Sequence, residues 1–125
     1  MLSQLETYAV LPAKDLKRAR EFYRDKLGLE PVEEHEHGLV YRTPSGARLQ
    51  VYETENAGTA QNTALGWMTD DLEAEMAALR SRGVVFEEYD VPGLKTVNGI
   101  ATDAEGMAAW FRDSEGNFLC VSQGM

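Results

Sequence analysis

The feature that constrains this chain most is a hairpin-like stretch that occurs twice. Near the C-terminus it reads Ala109-Trp110-Phe111-Arg112-Asp113-Ser114-Glu115-Gly116-Asn117-Phe118-Leu119-Cys120-Val121. Seventy residues earlier the chain reads Leu39-Val40-Tyr41-Arg42-Thr43-Pro44-Ser45-Gly46-Ala47-Arg48-Leu49-Gln50-Val51, so that Phe111 falls on Tyr41, Gly116 on Gly46 and Val121 on Val51. Pro second and Gly fourth in Thr43–Gly46, and Asp first and Gly fourth in Asp113–Gly116, are type I turn signatures. The flanks alternate and carry β-branched and aromatic residues, as strands do. A second echo lies upstream: Asp15-Leu16 and Asp71-Leu72 open two helical segments at an offset of 56, and Gly28 and Gly83 close them at an offset of 55. The larger hairpin offset leaves about 15 extra residues between Glu88 and Met107. The chain is therefore one module used twice, the second copy carrying an insert, which suits a duplicated domain better than a repeat array.

In order, Leu5–Leu11 is expected as a first strand ended by Pro12, followed by a helix from an Asp15 N-cap to a Gly28 cap. Leu16, Ala19, Phe22, Tyr23 and Leu27 keep helical spacing, and the basic residues from Lys14 to Lys26 are expected on its solvated face. A strand around Pro31–Glu36 and the first hairpin complete module one. Thr54–Thr63 has the composition of a linker, giving modules of about 1–56 and 62–125 in a single 1–125 domain. Module two is expected as a strand at Ala64–Thr69, a helix opening at Asp70-Asp71 with Leu72, Met76 and Leu79 inward, and a strand at Val84–Tyr89. A loop at Asp90–Gly99 and the second hairpin follow. Each module thus reads strand, helix, three strands: an α+β chain of two tandem βαβββ modules.

The net charge of −9 argues against nucleic acid, whose binding needs a Lys/Arg surface. It favours cationic small molecules at long range, or serves solubility alone. The longest apolar run, Tyr8–Ala13, is too short for a bilayer, and no signal-like segment is seen, so no membrane partner is expected. One cysteine excludes an internal disulfide and suits the cytoplasm.

The stretches Asp15–Leu29, Asp70–Glu73 and Trp110–Asn117 resemble the vicinal oxygen chelate superfamily of glyoxalases, extradiol dioxygenases and bleomycin-resistance proteins, over about residues 5 to 123. The resemblance implies two curved mixed-sheet half-barrels paired around a cleft. It also implies metal ligands in the first strand of each module, usually His, and in the last strand, often Glu. Those positions map to Tyr8 and Ala64, and to Gln50 and Cys120. None is the usual imidazole or carboxylate donor, so no metal cofactor is expected. By the same analogy the face carrying Tyr8, Gln50, Tyr52, Met68, Trp110, Phe118 and Cys120 lines the cleft, while alternation sends Leu49, Val51, Leu119 and Val121 to the core.

Other candidates have plainer readings. His35 and His37 would share one strand face and could chelate metal, but their acidic flanks fit a solvated pair. Glu33, Glu34, Glu36, Glu87, Glu88 and Asp90 read as surface charge, and Trp67 as core. Cys120 has no adjacent base, and Gly93, Gly99 and Gly106 are too scattered for a phosphate loop. The expectation is a metal-free binder of a small organic molecule, cationic or aromatic, acting as a homodimer. The alternative is a zinc-, nickel-, manganese- or iron-dependent lyase, isomerase or dioxygenase with relocated ligands.

Overall fold

The structure is a computed structural model describing residues 1–124, so the last residue of the expected 62–125 module lies outside the described residues. After a short 3-10 turn at Leu2–Gln4 come β1 (Ala9–Ala13), α1 (Leu16–Leu27), β2 (Glu33–His35), β3 (Gly38–Arg42) and β4 (Arg48–Glu53). The second half holds β5 (Thr63–Met68), α2 (Leu72–Ser81), β6 (Asp90–Val91), β7 (Leu94–Val97), β8 (Ile100–Thr102), β9 (Met107–Arg112) and β10 (Phe118–Gln123).

Both helices start as their sequences dictate. The Asp15 carboxylate accepts the Arg18 N–H and the Asp71 carboxylate accepts the Ala74 N–H, each supplying a partner for an amide that the first turn leaves free. Gly28 stops α1 in the left-handed region, where its N–H reaches Arg24 O. The first strand differs from expectation: it runs through Pro12 rather than ending there, and residues 5–8 lie ahead of it. Pro12 is tolerated because β1 is the edge of its sheet, where a missing N–H removes little.

Strand order is β1-β4-β3-β2 in the first sheet and β5-β10-β9-β8-β7-β6 in the second. In each, the module's first strand runs parallel to its last, and the last pairs antiparallel with its hairpin partner. The repeated turns are built alike: Gly46 N–H donates to Thr43 O at 2.9 Å and Gly116 N–H to Asp113 O at 3.2 Å. The insert is not a loop. It folds into the β6–β7–β8 meander, joined by an Asn98-Gly99 turn with both residues at positive φ (52° and 82°). Glu88, expected as surface charge, holds that meander by accepting from Thr96 Oγ1 at 2.7 Å and Gly99 N–H at 2.6 Å. Val84–Tyr89 makes a single bridge, Phe86 to Phe111, because β8 already occupies the other half of that edge of β9.

One apolar cluster joins the modules: Leu11, Tyr23, Tyr41, Leu49 and Val51 from the first pack with Leu72, Met76, Phe111, Leu119 and Val121 from the second. A polar hub fastens them. Asp113 accepts the Tyr23 O–H at 2.7 Å together with the N–H groups of Glu115 and Asn117. Asn117 Nδ2 donates to Pro12 O at 3.0 Å. Glu115, only 1% exposed in its side chain, accepts the N–H groups of Lys14 and Asp15 and two N–H groups of Arg18. The basic face of α1 is therefore not merely solvated, since Lys26 likewise donates to Arg82 O at 2.7 Å. The linker joins the same hub: Ala57 is buried, and a Cβ on Gly58 would sit 3.1 Å from Glu115 O.

Burial alone would raise the Glu115 pKa, but the bonds from Arg18, the Asp15 amide and Ser114 outweigh it and bring the group from 4.5 to about 2. A depressed carboxylate stabilises the fold above its unfolded pKa and loses that contribution as pH falls through the folded one. Wild-type protein is therefore expected to lose about 2 kcal/mol between pH 4.5 and 2 from this group, less than the full shift implies because Arg18 is half exposed. Glu115→Gln should lower the melting temperature at pH 7 and flatten the acid limb. Parallel acid limbs in the two proteins, measured by thermal denaturation against pH, would contradict this.

Candidate functional site

Each sheet buries one face in the common core and leaves a wall uncovered on the other. On the first wall the pairing register aligns Val10, Gln50 and Val40 across β1, β4 and β3. Tyr8 lies just ahead of β1, half exposed, with the Arg48 guanidinium 5.7 Å from its ring centre, a cation–π placement. Tyr52 continues the wall and is also half exposed.

On the second wall the register aligns Gly66, Cys120 and Trp110, then Met68, Ser122 and Ala108. Trp110 Nε1–H donates to Thr63 Oγ1 at 3.0 Å. Because β10 separates β9 from β5, the indole lies across β10, with the Tyr89 ring edge-on at 6.0 Å. Phe118 carries the Arg112 guanidinium at 4.9 Å, and Arg112 pairs with Glu87 at 2.6 Å. Met68 is 79% exposed, whereas Trp67, one residue earlier, packs against the core as alternation requires. Cys120 is half-buried; burial raises its thiol pKa, and a bond with the Ala109 backbone lowers it in part.

Of the expected cleft residues, Gln50, Tyr8 and Tyr52 gather on the first wall, and Trp110, Phe118, Cys120 and Met68 belong to the second sheet. A cavity of about 110 Å³ lies beside Trp110, lined also by Ala101, Met107 and Ala108. A larger one, about 240 Å³, touches Met68 but lies on the helix side, among Leu27, Trp67, Leu79 and Phe111.

The positions implied as metal ligands are Tyr8, Gln50, Ala64 and Cys120. Tyr8 and Ala64 precede the residues that stand opposite Gln50 and Cys120, which are Val10 and Gly66. Neither choice supplies an imidazole or carboxylate, so the donor set does not fit the family's divalent metal. Among the described residues no three His, Cys, Asp or Glu side chains gather to hold an ion. His35 ends β2 while His37 sits in the following turn, so the two do not share a strand face; both are exposed, and His37 Nδ1 is 3.4 Å from Glu53. The sequence reading missed the buried partners Asp113 and Glu115, which the turn signature marks only as turn residues because their partners lie about 90 to 100 residues away.

Two mixed sheets with a shared core and one uncovered, aromatic-bearing wall each define a two-module α+β protein. The chain belongs to the Glyoxalase/Bleomycin resistance protein/Dioxygenase superfamily, whose family model matches residues 6–121. Among solved structures it is similar to a glyoxalase/bleomycin resistance protein from Catenulispora acidiphila, at 25% identity over 96% of this chain and 98% of that one, with a TM-score of 0.65. A glyoxalase/bleomycin resistance protein/dioxygenase from Alicyclobacillus acidocaldarius shares the fold at 16% identity and a TM-score of 0.73, covering 98% of this chain and 92% of that one. Lactoylglutathione lyase from Agrobacterium tumefaciens does so at 18% identity and 0.70, covering 97% and 94%. No curated protein matches the chain.

With its thiol pKa raised by burial, Cys120 should react with iodoacetamide at pH 7.5 more slowly than glutathione, because the thiolate is the reacting form. Trp110→Ala should speed that reaction by uncovering β10. Wild-type labelling as fast as glutathione's would mark Cys120 as an activated thiol instead.

Proposed function

We propose that this chain is a small-molecule-binding member of its superfamily that works without the family's metal centre and takes an aromatic organic compound against its sheet walls. The observation that carries this reading is the second wall. Its central indole is held in place by Thr63 and Tyr89 and surrounded by Gly66, Ala108 and Cys120, residues small enough to leave room above the strands. Rigid aromatic surface with few polar groups is what organic-ligand sites use. A net charge of −9 draws cations at long range, but the charged groups beside the aromatic rings are Arg48 and Arg112, so aromatic character is the better-supported half of the reading. A second copy of the chain is the proposed cover, since Val10, Tyr52 and Met68 are left exposed in one copy.

Metal content of untagged protein prepared without chelators, together with melting shifts in Ni²⁺, Zn²⁺, Mn²⁺ and Fe²⁺, tests the metal-free part. A metal at 100 times its dissociation constant adds about 2.7 kcal/mol of stability. No stoichiometric metal and no shift are expected; a bound metal with a clear upward shift would favour the metal-dependent enzyme. For the cleft, Trp110→Ala should weaken binding of the dye 8-anilinonaphthalene-1-sulfonate more than fivefold while melting falls by less than about 5 °C. Loss of folding in proportion to loss of binding would mark Trp110 as a core residue. Light scattering should give twice the 13.9 kDa chain mass; a monomer at the same concentration would remove the second copy as the cover.

A further inference from the structure

We infer that the first wall carries an oxyanion subsite at Arg48, which takes the carboxylate of an aromatic acid whose ring stands against Tyr8 and Val10. The inference rests on the ligand-cleft reading above and specifies its chemistry. Two buried side-chain polar atoms lack a hydrogen-bond partner among the described residues: Tyr41 Oη and Arg48 Nε. Tyr41 is closed into the core beside Tyr23, ring centres 5.7 Å apart. Arg48 is different, because strand alternation turns it to the uncovered wall with Gln50 and Tyr52. A buried donor without an acceptor is unfavourable, and such an atom on an open wall calls for an acceptor from outside the chain.

The surrounding charges select an anion. Arg42, the cross-strand neighbour of Arg48, is matched by Glu6 at 2.9 Å. Glu33 stands on the edge strand β2, two strands from Arg48 and in register with Val40 rather than Arg42. Arg48 has no carboxylate partner among the described residues, so its own guanidinium is left to receive an anion. Its Nε and one Nη form the fork that receives a carboxylate side-on. Tyr8 precedes the paired residues of β1, so it can shift from the guanidinium without breaking the strand pairing. Gln50, two residues along the same face, offers an amide N–H to the same ligand. The chain's overall acidity does not cancel this, because exposed charges more than about 8 Å away are largely screened at physiological salt.

Benzoate and benzylammonium, matched in ring and opposite in charge, test the subsite by saturation-transfer NMR titration on wild type, Arg48→Gln, Arg48→Lys and Arg42→Gln. Benzoate should bind wild type at least threefold more tightly than benzylammonium and weaken as salt rises. Arg48→Gln should erase the preference, Arg48→Lys should restore part of it, and Arg42→Gln should leave it in place. Should Arg48→Gln fail to fold, Arg48→Lys against Arg42→Gln carries the same comparison. Benzylammonium bound as well as or better than benzoate, or a benzoate preference indifferent to both Arg48 substitutions, would overturn the oxyanion subsite while leaving an organic-ligand cleft. Binding of neither probe to folded wild type at millimolar concentration would overturn the subsite, and failure of the anilinonaphthalene dye as well would take the cleft reading with it.

Discussion

Everything in this molecule hangs on one turn. Asp113 and Glu115 lie two residues apart in the second hairpin, and between them they take N–H or O–H groups from α1, from its entry at Lys14 and Asp15, and from the turn itself. A buried carboxylate is tolerated only when its oxygens are bonded, and bonded this fully it favours one relative placement of the modules. The Glu115 charge also sits at the N-terminal end of α1, where a helix dipole favours a negative group. Module one offers no counterpart: its turn carries Ser45 and Gly46 where module two carries Glu115 and Gly116. Duplication supplied two similar halves, and this asymmetry distinguishes the half that reaches from the half that receives.

With the modules fixed through their helix-covered faces, the remaining face of each sheet is left uncovered. Small residues at Gly66, Ala108 and Cys120 keep the second wall shallow around Trp110, while the first wall is aromatic at its ends and amide-bearing in its middle. The same fold can host unrelated chemistries because these positions bear little of the packing. Residues on the uncovered faces, such as Val10, Gln50, Gly66 and Cys120, can vary without disturbing the core, since the core draws on the alternate residues Leu11, Leu49, Val51, Leu119 and Val121.

The local signals were legible wherever they were also sufficient. Both N-caps, the Gly28 stop and both repeated turns could be read because each depends on residues within a single turn of chain. The meander was equally legible in principle: Asn-Gly between Val97 and Ile100 is a strong hairpin signal, although Asp90–Gly99 as a whole reads as a loop. The hub was not legible, since Glu115 meets Arg18 across 97 residues and nothing near either marks the pairing. Nor could repeat arithmetic separate Tyr8 and Ala64 from Val10 and Gly66. Both pairs share the same offset, and only the register says which stand opposite Gln50 and Cys120.

Net charge illustrates the same gap between what a sequence sums and what a fold distributes. Much of the acidity that makes this chain strongly negative sits on helix exteriors and in turns and loops, at Glu21, Glu36, Glu55, Asp70, Glu73 and Glu105, all exposed. The charged side chains set against the aromatic rings of the walls are arginines. A ligand far from the surface meets the total, whereas one in contact meets the nearest few groups in a medium where water screens less. For a wall whose half-buried cation lacks a partner, the second regime decides what binds, and the sign it favours is opposite to that of the chain as a whole.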